Sequence, residues 1–341
     1  MKKELPLQTP PLTKAYQFDA FDMAVMMADE AKRGWIYSNL IQIQCRVFNE
    51  ETRNPCLMFY NVNILDRERE PLEKHFLREM KFSNKEDTVD IIKIMINNDY
   101  YVCLLCDIFH IKKIRQFESH HVHDFLIYGY DDDREVFNVY AITEINLERF
   151  EAGFDEVIEA YASDYKAEYY YMYFLKNKEG EFKMEYPRFE YLLADYRDGI
   201  DTQSRENINS GREPTNLWGS RVYDELLRFY RYMSLRNEPI QVNQSYAFYE
   251  HKKLMYERFK YINEGNTQYS CPDGLLKEFS DVYELAGIYI NLILKINQKI
   301  RLKLNAEKEF TELIEIVEKI RSKELKAIDD FFEINNYRHG G

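Results

Sequence analysis

Alternation and helical spacing divide the chain into two regions. Residues 1–16 read as an extended lead-in, since Pro6, Pro10 and Pro11 prevent helix. A first helix is expected over 19–32, with Phe21, Val25 and Ala28 on one face and Asp19 or Asp22 as its cap. At 40–48, Ile41, Ile43, Cys45 and Val47 alternate with Gln42, Gln44 and Arg46, the pattern of a half-buried strand. A second strand is expected at 56–62, and helices at 71–80 and 87–98. Strands follow at 100–107, 122–130 and 135–142, the last two joined by a turn at Asp131-Asp132-Asp133. A further hairpin is expected from 167–175 and 181–186 around Lys178-Glu179-Gly180.

After Pro187 the spacing becomes helical. Candidates are 188–196, a helix capped by Ser220 with Tyr223, Leu226, Leu227 and Tyr230 on one stripe, then 245–262, 281–304 and 306–332. Residues 198–217 are polar and read as a boundary or an exposed loop. The expected architecture is α+β: a domain over 1–187 with a mixed or antiparallel sheet, then a helical bundle over 188–341.

Composition narrows the function classes. The 341 residues carry 46 Lys+Arg against 59 Asp+Glu, a net charge of −13. Such a balance argues against general nucleic-acid binding and against docking on anionic lipid. The first fourteen residues lack the apolar core of a secretory signal, and the longest apolar run, near 285–294, is too short to span a bilayer. Five Cys without framework spacing suggest a reduced, cytoplasmic protein. No glycine-rich phosphate loop occurs, so no nucleotide cofactor is expected.

The chemistry concentrates around four of the seven histidines: His110, His120, His121 and His123. On a strand His121 and His123 share a face and His120 points away. An imidazole at a strand start can meet a group on a facing helix, as a Cys–His nucleophilic site requires. His121 and His123 with Asp107 on a neighbouring strand also form a conceivable metal set. Cys103 and Cys106 are spaced C-x-x-C, but in a strand they face opposite sides. The Asp131–Asp133 run lacks the further oxygens of a calcium loop and reads as turn chemistry.

The stretch HDFLIYGYD at 123–131, with YVCLLCDIFH at 101–110 and the helical YEHKKLMYERFKYI at 249–262, resembles papain-like cysteine enzymes. Within them it is most similar to the family of the N-terminal domain of butirosin biosynthesis protein H, found beside nonribosomal peptide synthetases. The resemblance implies a papain-like fold and a role in bacterial specialised metabolism, in which an acyl or peptidyl group leaves a carrier-protein thioester. It implies His123 as general base, Asp107 as an orienting carboxylate, and His121, Tyr130, Asp131 and Tyr16 around the substrate. It also implies a Cys at the start of the first helix, yet TKAYQFDAFDMAVMM at 13–27 contains none.

Three alternatives stand at this point. The chain is a non-catalytic relative binding the same carrier protein or peptide product. Or the site is re-purposed, with Asp19 and the histidines doing different chemistry. Or another thiol, Cys45, serves as nucleophile, although a mid-strand Cys is usually core. The net charge opposes an acidic carrier, and a basic patch of Lys252, Lys253, Arg258 and Lys260 is the expected offset.

Overall fold

The computed structural model describes residues 1–46, 55–60, 71–78, 87–114, 119–143, 146–206, 216–265 and 267–336. The chain runs β1 (Lys2–Glu4), α1 (Gln17–Met26), α2 (Arg33–Ser38), β2 (Ile43–Arg46), β3 (Cys56–Phe59), β4 (Leu72–Arg78) and α3 (Asp87–Asn97). It continues through β5 (Tyr101–Asp107), β6 (Val122–Asp131), β7 (Val136–Ile142), β8 (Leu147–Gly153), α4 (Phe154–Ala162) and β9 (Tyr171–Asn177). Then follow α5 (Tyr186–Asp198), α6 (Thr202–Arg205), β10 (Asn216–Trp218), α7 (Val222–Arg236), α8 (Val242–Asn263), α9 (Asp273–Arg301) and α10 (Glu307–Ile334). The fold is α+β with antiparallel sheets and C-terminal helices, as the patterning implies.

Contacts group the chain into two units, Met1–Lys32 with Ile64–Phe182, and Arg33–Asn63 with Lys183–Gly341. The strand pattern at 40–60 therefore belongs with the helices of the second unit, not with the first sheet, as the expected division after 187 had it.

In the first unit the sheet order is β4-β9-β5-β6-β7-β8. β1 pairs with the second half of β6, Lys3 opposite Tyr130 and Glu4 opposite Gly129, beyond the stretch that β5 covers. Gly129 sits at a register shift between β6 and β7, and a Cβ there would stand 2.7 Å from the Lys3 carbonyl. The glycine of the GYD stretch thus lets β1 approach.

Three expectations fail here for physical reasons. Residues 72–78 form an edge strand, not a helix, because all seven pair in register with β9; such long-range pairing overrides a local helical reading. The strand expected at 181–186 is absent: the chain runs irregularly into α5 with Pro187 in its first turn, so no hairpin returns from β9. α1 starts at Gln17 and ends at Met26, so Asp19 lies inside its first turn and neither Asp19 nor Asp22 caps it. Asp22 instead pairs with Lys74 at 2.6 Å.

The second unit places β10-β2-β3 in a small sheet among helices. Its interior holds charge. Lys252 and Glu324 are both fully buried and meet at 2.8 Å, and Glu324 Oε2 also accepts from the Tyr196 and Tyr223 hydroxyls, each at 2.6 Å. Arg258 is fully buried too. Its guanidinium donates to the carbonyls of Tyr37 (2.6 Å), Asn39 (2.8 Å) and Leu40 (3.2 Å). These carbonyls belong to the last turn of α2 and to the two residues after it, at the negative end of the helix. Burial pulls the Arg258 pKa down to about 9.

The expected basic patch is corrected by this packing. Lys252 and Arg258 are interior groups with interior partners, and only Lys253 and Lys260 reach solvent. Ser220 does not cap α7 either; it lies in a 3₁₀ turn and donates to the Arg197 carbonyl at 2.7 Å. Among the described residues no helix is long and apolar enough to cross a membrane.

Candidate functional site

Two polar clusters gather at the end of the first sheet where β5 stops and β6 begins. The first surrounds His123. α1 presents the Gln17 side chain to the start of β6. Gln17 Oε1 accepts from the Ile142 amide at 2.9 Å, and Gln17 Nε2 donates to the Asp124 carbonyl. The carboxamide therefore takes the place of a peptide group between β6 and β7, just where their ladder ends. Gln17 is only 6% exposed.

The His123 ring sits against this bridge. Its Nδ1 lies 3.2 Å from Gln17 Nε2, accepts from the Asp124 amide at 2.9 Å, and lies 2.9 Å from Asp124 Oδ1. In the neutral ring Nδ1 accepts from the amide. In the protonated ring Nδ1–H donates to the carboxylate. The hydrogen bond and charge of Asp124 raise the His123 pKa above that of a free imidazole, against the opposing effect of burial. The His123 side chain is 41% exposed, and its ring centroid is 5.9 Å from that of His121.

The group facing His123 from the first turn of α1 is thus an amide, not a thiol. Cys106 is the cross-strand neighbour of His123, but it is fully buried and burial drives its thiol well above the usual range. Cys45 belongs to the second unit, is fully buried in β2, and its thiol is likewise pushed up by burial. A thiolate is the reactive form, so neither is poised to attack.

The second cluster centres on Asp107, fully buried at the end of β5. Its Oδ1 accepts from the backbone amides of Phe109 and His121, each at 3.2 Å. Its Oδ2 meets His120 Nδ1 at 2.6 Å and Ser163 Oγ at 2.8 Å, with His110 Nε2 at 3.6 Å. Burial opposes ionisation, but the hydrogen bonds from His120, Ser163 and the two amides outweigh it and hold the carboxyl below its ordinary value. On its other side His110 Nδ1 lies 3.5 Å from Glu159 Oε2. Phe109 and Tyr165 flank the His120 ring, with centroids at 4.3 and 5.3 Å.

The structure sorts the expected residues accordingly. His123 and His121 stand together. Asp107 serves His120 and His110, so the expected metal set of His121, His123 and Asp107 does not converge; Asp107 reaches only the backbone of His121. Tyr130 and Asp131 are seven and eight residues along β6 from His123, roughly 25 Å away at strand rise. Tyr130 is fully buried and donates to Asn97 Oδ1 at 2.9 Å, and Asp131 is tied to Lys2 and the Asp133 amide. They build the far end of the sheet and cannot share a site with His123. Tyr16 is the N-cap residue of α1, and Asp19 lies in its first turn, each partly exposed.

Gln17, Glu159 and Ser163 have no role in the sequence reading. The 154–162 pattern does carry a helix signal, with acidic Asp155 and Glu156 in the first turn and Val157, Ala160 and Tyr161 buried at helical spacing. Nothing local marks Gln17, whose partners lie more than a hundred residues away. No protein-family model matches the chain, and no curated protein is significantly similar to it.

Proposed function

We propose that the chain is a papain-like relative that has given up thiol catalysis and acts as a binding module for an acyl or peptidyl group carried on a carrier protein, or for its released product, in bacterial specialised metabolism. The observation that carries this reading is Gln17. In the resemblance, a thiol at the start of the first helix faces the base on the His strand. Here that place holds a carboxamide whose oxygen and nitrogen are both committed to backbone partners of the sheet. An amide cannot form the thioester intermediate that acyl transfer needs. His123 keeps its position and its partial exposure, so it can hydrogen-bond a carbonyl without attacking it.

The interior placement of Lys252 and Arg258 removes two cations from any carrier-facing surface, so affinity rests on the acylated arm more than on charge steering. The test is titration of the full chain with one carrier protein in its apo, phosphopantetheinyl and acylated forms, with intact mass of the carrier read before and after. The acylated form should bind at least tenfold tighter than the apo form, and its mass should not change. Equal affinity for all three forms would end the binding reading. Loss of the acyl group at a rate abolished by His123→Ala would restore the enzyme reading.

A further inference from the structure

The Asp107 cluster is separate in chemistry from the His123–Gln17 bridge, and its geometry poses a question of its own. A structural Asp–His pair would leave each group satisfied. Here His110, whose side chain is 24% exposed, is placed differently from His120. Its ring stands between two carboxylates, 3.6 Å from Asp107 Oδ2 and 3.5 Å from Glu159 Oε2, with hydrogen-bond distance to neither. His120 and His110 converge on the same Asp107 oxygen from two sides. Among the described residues these three are the one group of such side chains whose ligand atoms all lie within 4.8 Å of one another.

We propose that Asp107 Oδ2, His110 Nε2 and His120 Nδ1 bind a divalent transition-metal ion. One carboxylate oxygen and two imidazole nitrogens suit zinc and its first-row neighbours better than magnesium or calcium, which prefer all-oxygen shells. With metal–ligand bonds of about 2.0–2.2 Å, tetrahedral ligands sit about 3.3 Å apart. The His110–Asp107 separation of 3.6 Å is already close to that. The His120–Asp107 separation of 2.6 Å must open, which a ring that is 46% exposed can do by a small rotation.

The surroundings are those of a supported ligand set. Asp107 Oδ1 is fixed by two backbone amides, so only Oδ2 is presented. Ser163 donates to Oδ2 itself at 2.8 Å and so orients the oxygen that would bind the metal, and Glu159 lies 3.5 Å from the second nitrogen of His110, the side from which a carboxylate orients a metal-bound imidazole. Three protein ligands leave a coordination position for water or a substrate oxygen. The turn Ile108–His110 and α4 supply the frame: Asp107 caps that turn, which sets His110 three residues on over the same oxygen.

The test uses untagged, chelator-treated full-length protein titrated with ZnCl2 against a chromophoric competitor, with Co²⁺ substituted for its absorption spectrum. Wild type should bind one equivalent. His110→Ala and His120→Ala should each weaken that site at least tenfold and change the cobalt spectrum. Ser163→Ala should weaken it by about tenfold, as loss of an outer partner does. His123→Ala should leave it unchanged. Asp107→Asn is avoided as sole evidence because the buried carboxylate also caps a turn. The proposal is overturned if no one-equivalent site exists, if both histidine variants bind zinc like wild type, or if His123→Ala abolishes binding.

Discussion

Replacing Gln17 by Ala probes the bridge at the sheet end. The side chain satisfies the Ile142 amide and the Asp124 carbonyl. A hydrogen bond is worth about 0.5–1.5 kcal/mol net, and a buried group left without a partner costs about 1–3 kcal/mol. Water can reach the half-exposed His123 side and take up the carbonyl, so the loss is set mainly by the Ile142 amide. Together these give about 2 kcal/mol, which corresponds to roughly thirtyfold faster local exchange. Native-state hydrogen exchange of the Ile142 amide, read by NMR, measures this directly. Gln17→Glu separates the two ends: it keeps an acceptor for Ile142 but has no donor for Asp124. Exchange in Gln17→Ala within threefold of wild type would mean that the carboxamide does not close the ladder.

Two further outcomes follow from the same physics. Glu324→Gln leaves the Lys252 charge buried without its counter-ion and should cost about 3–5 kcal/mol; Trp35 and Trp218 both lie in the second unit, so their fluorescence in urea reports it. Burial already lowers the Lys252 pKa, so in the variant the unfolded chain binds a proton that the folded one resists, and the deficit should shrink as pH rises above neutrality. A cost below about 1 kcal/mol with no pH dependence would contradict the buried pair. Asp124→Asn should bring the His123 pKa down toward the free value, seen by NMR titration of the ring. In wild type that pair stabilises below about pH 6.5 and the contribution is lost as pH rises through the raised folded value; in the variant this pH dependence, worth about 1 kcal/mol or less at a half-exposed site, should flatten.

The sequence revealed the elements whose burial is periodic. The helices α7, α9 and α10 show that spacing, and β5, β6 and β7 at the centre of a sheet show instead the near-continuous apolar runs of strands buried on both faces. It misplaced β4, an edge strand whose Phe76 is 48% exposed and stacks on Tyr173, because its identity comes from pairing with β9 rather than from its own pattern. The strands expected at 40–48 and 56–62 read as part of the first sheet because alternation states that a strand forms, not which sheet it joins.

The site divides in the same way. The histidine-rich stretch stands out in composition, but strand parity alone paired Asp107 with His121 and His123. The short turn Ile108–His110, and the chain just before β6, instead bring His110 and His120 to it. The cations at Lys252 and Arg258 look like surface charge from sequence, since only the fold supplies Glu324 and the carbonyls at and just past the end of α2 that let them be buried.

The central claim is that His123 faces an amide and no thiol nucleophile. Alkylation kinetics of the five native cysteines, mapped by mass spectrometry in wild type and in His123→Ala, test it most directly. Four are buried and Cys56 is partly exposed, so every site should react no faster than a free thiol, Cys56 first, with no change in the variant. One cysteine reacting a hundredfold faster than the rest, and slowed by His123→Ala, would contradict the account.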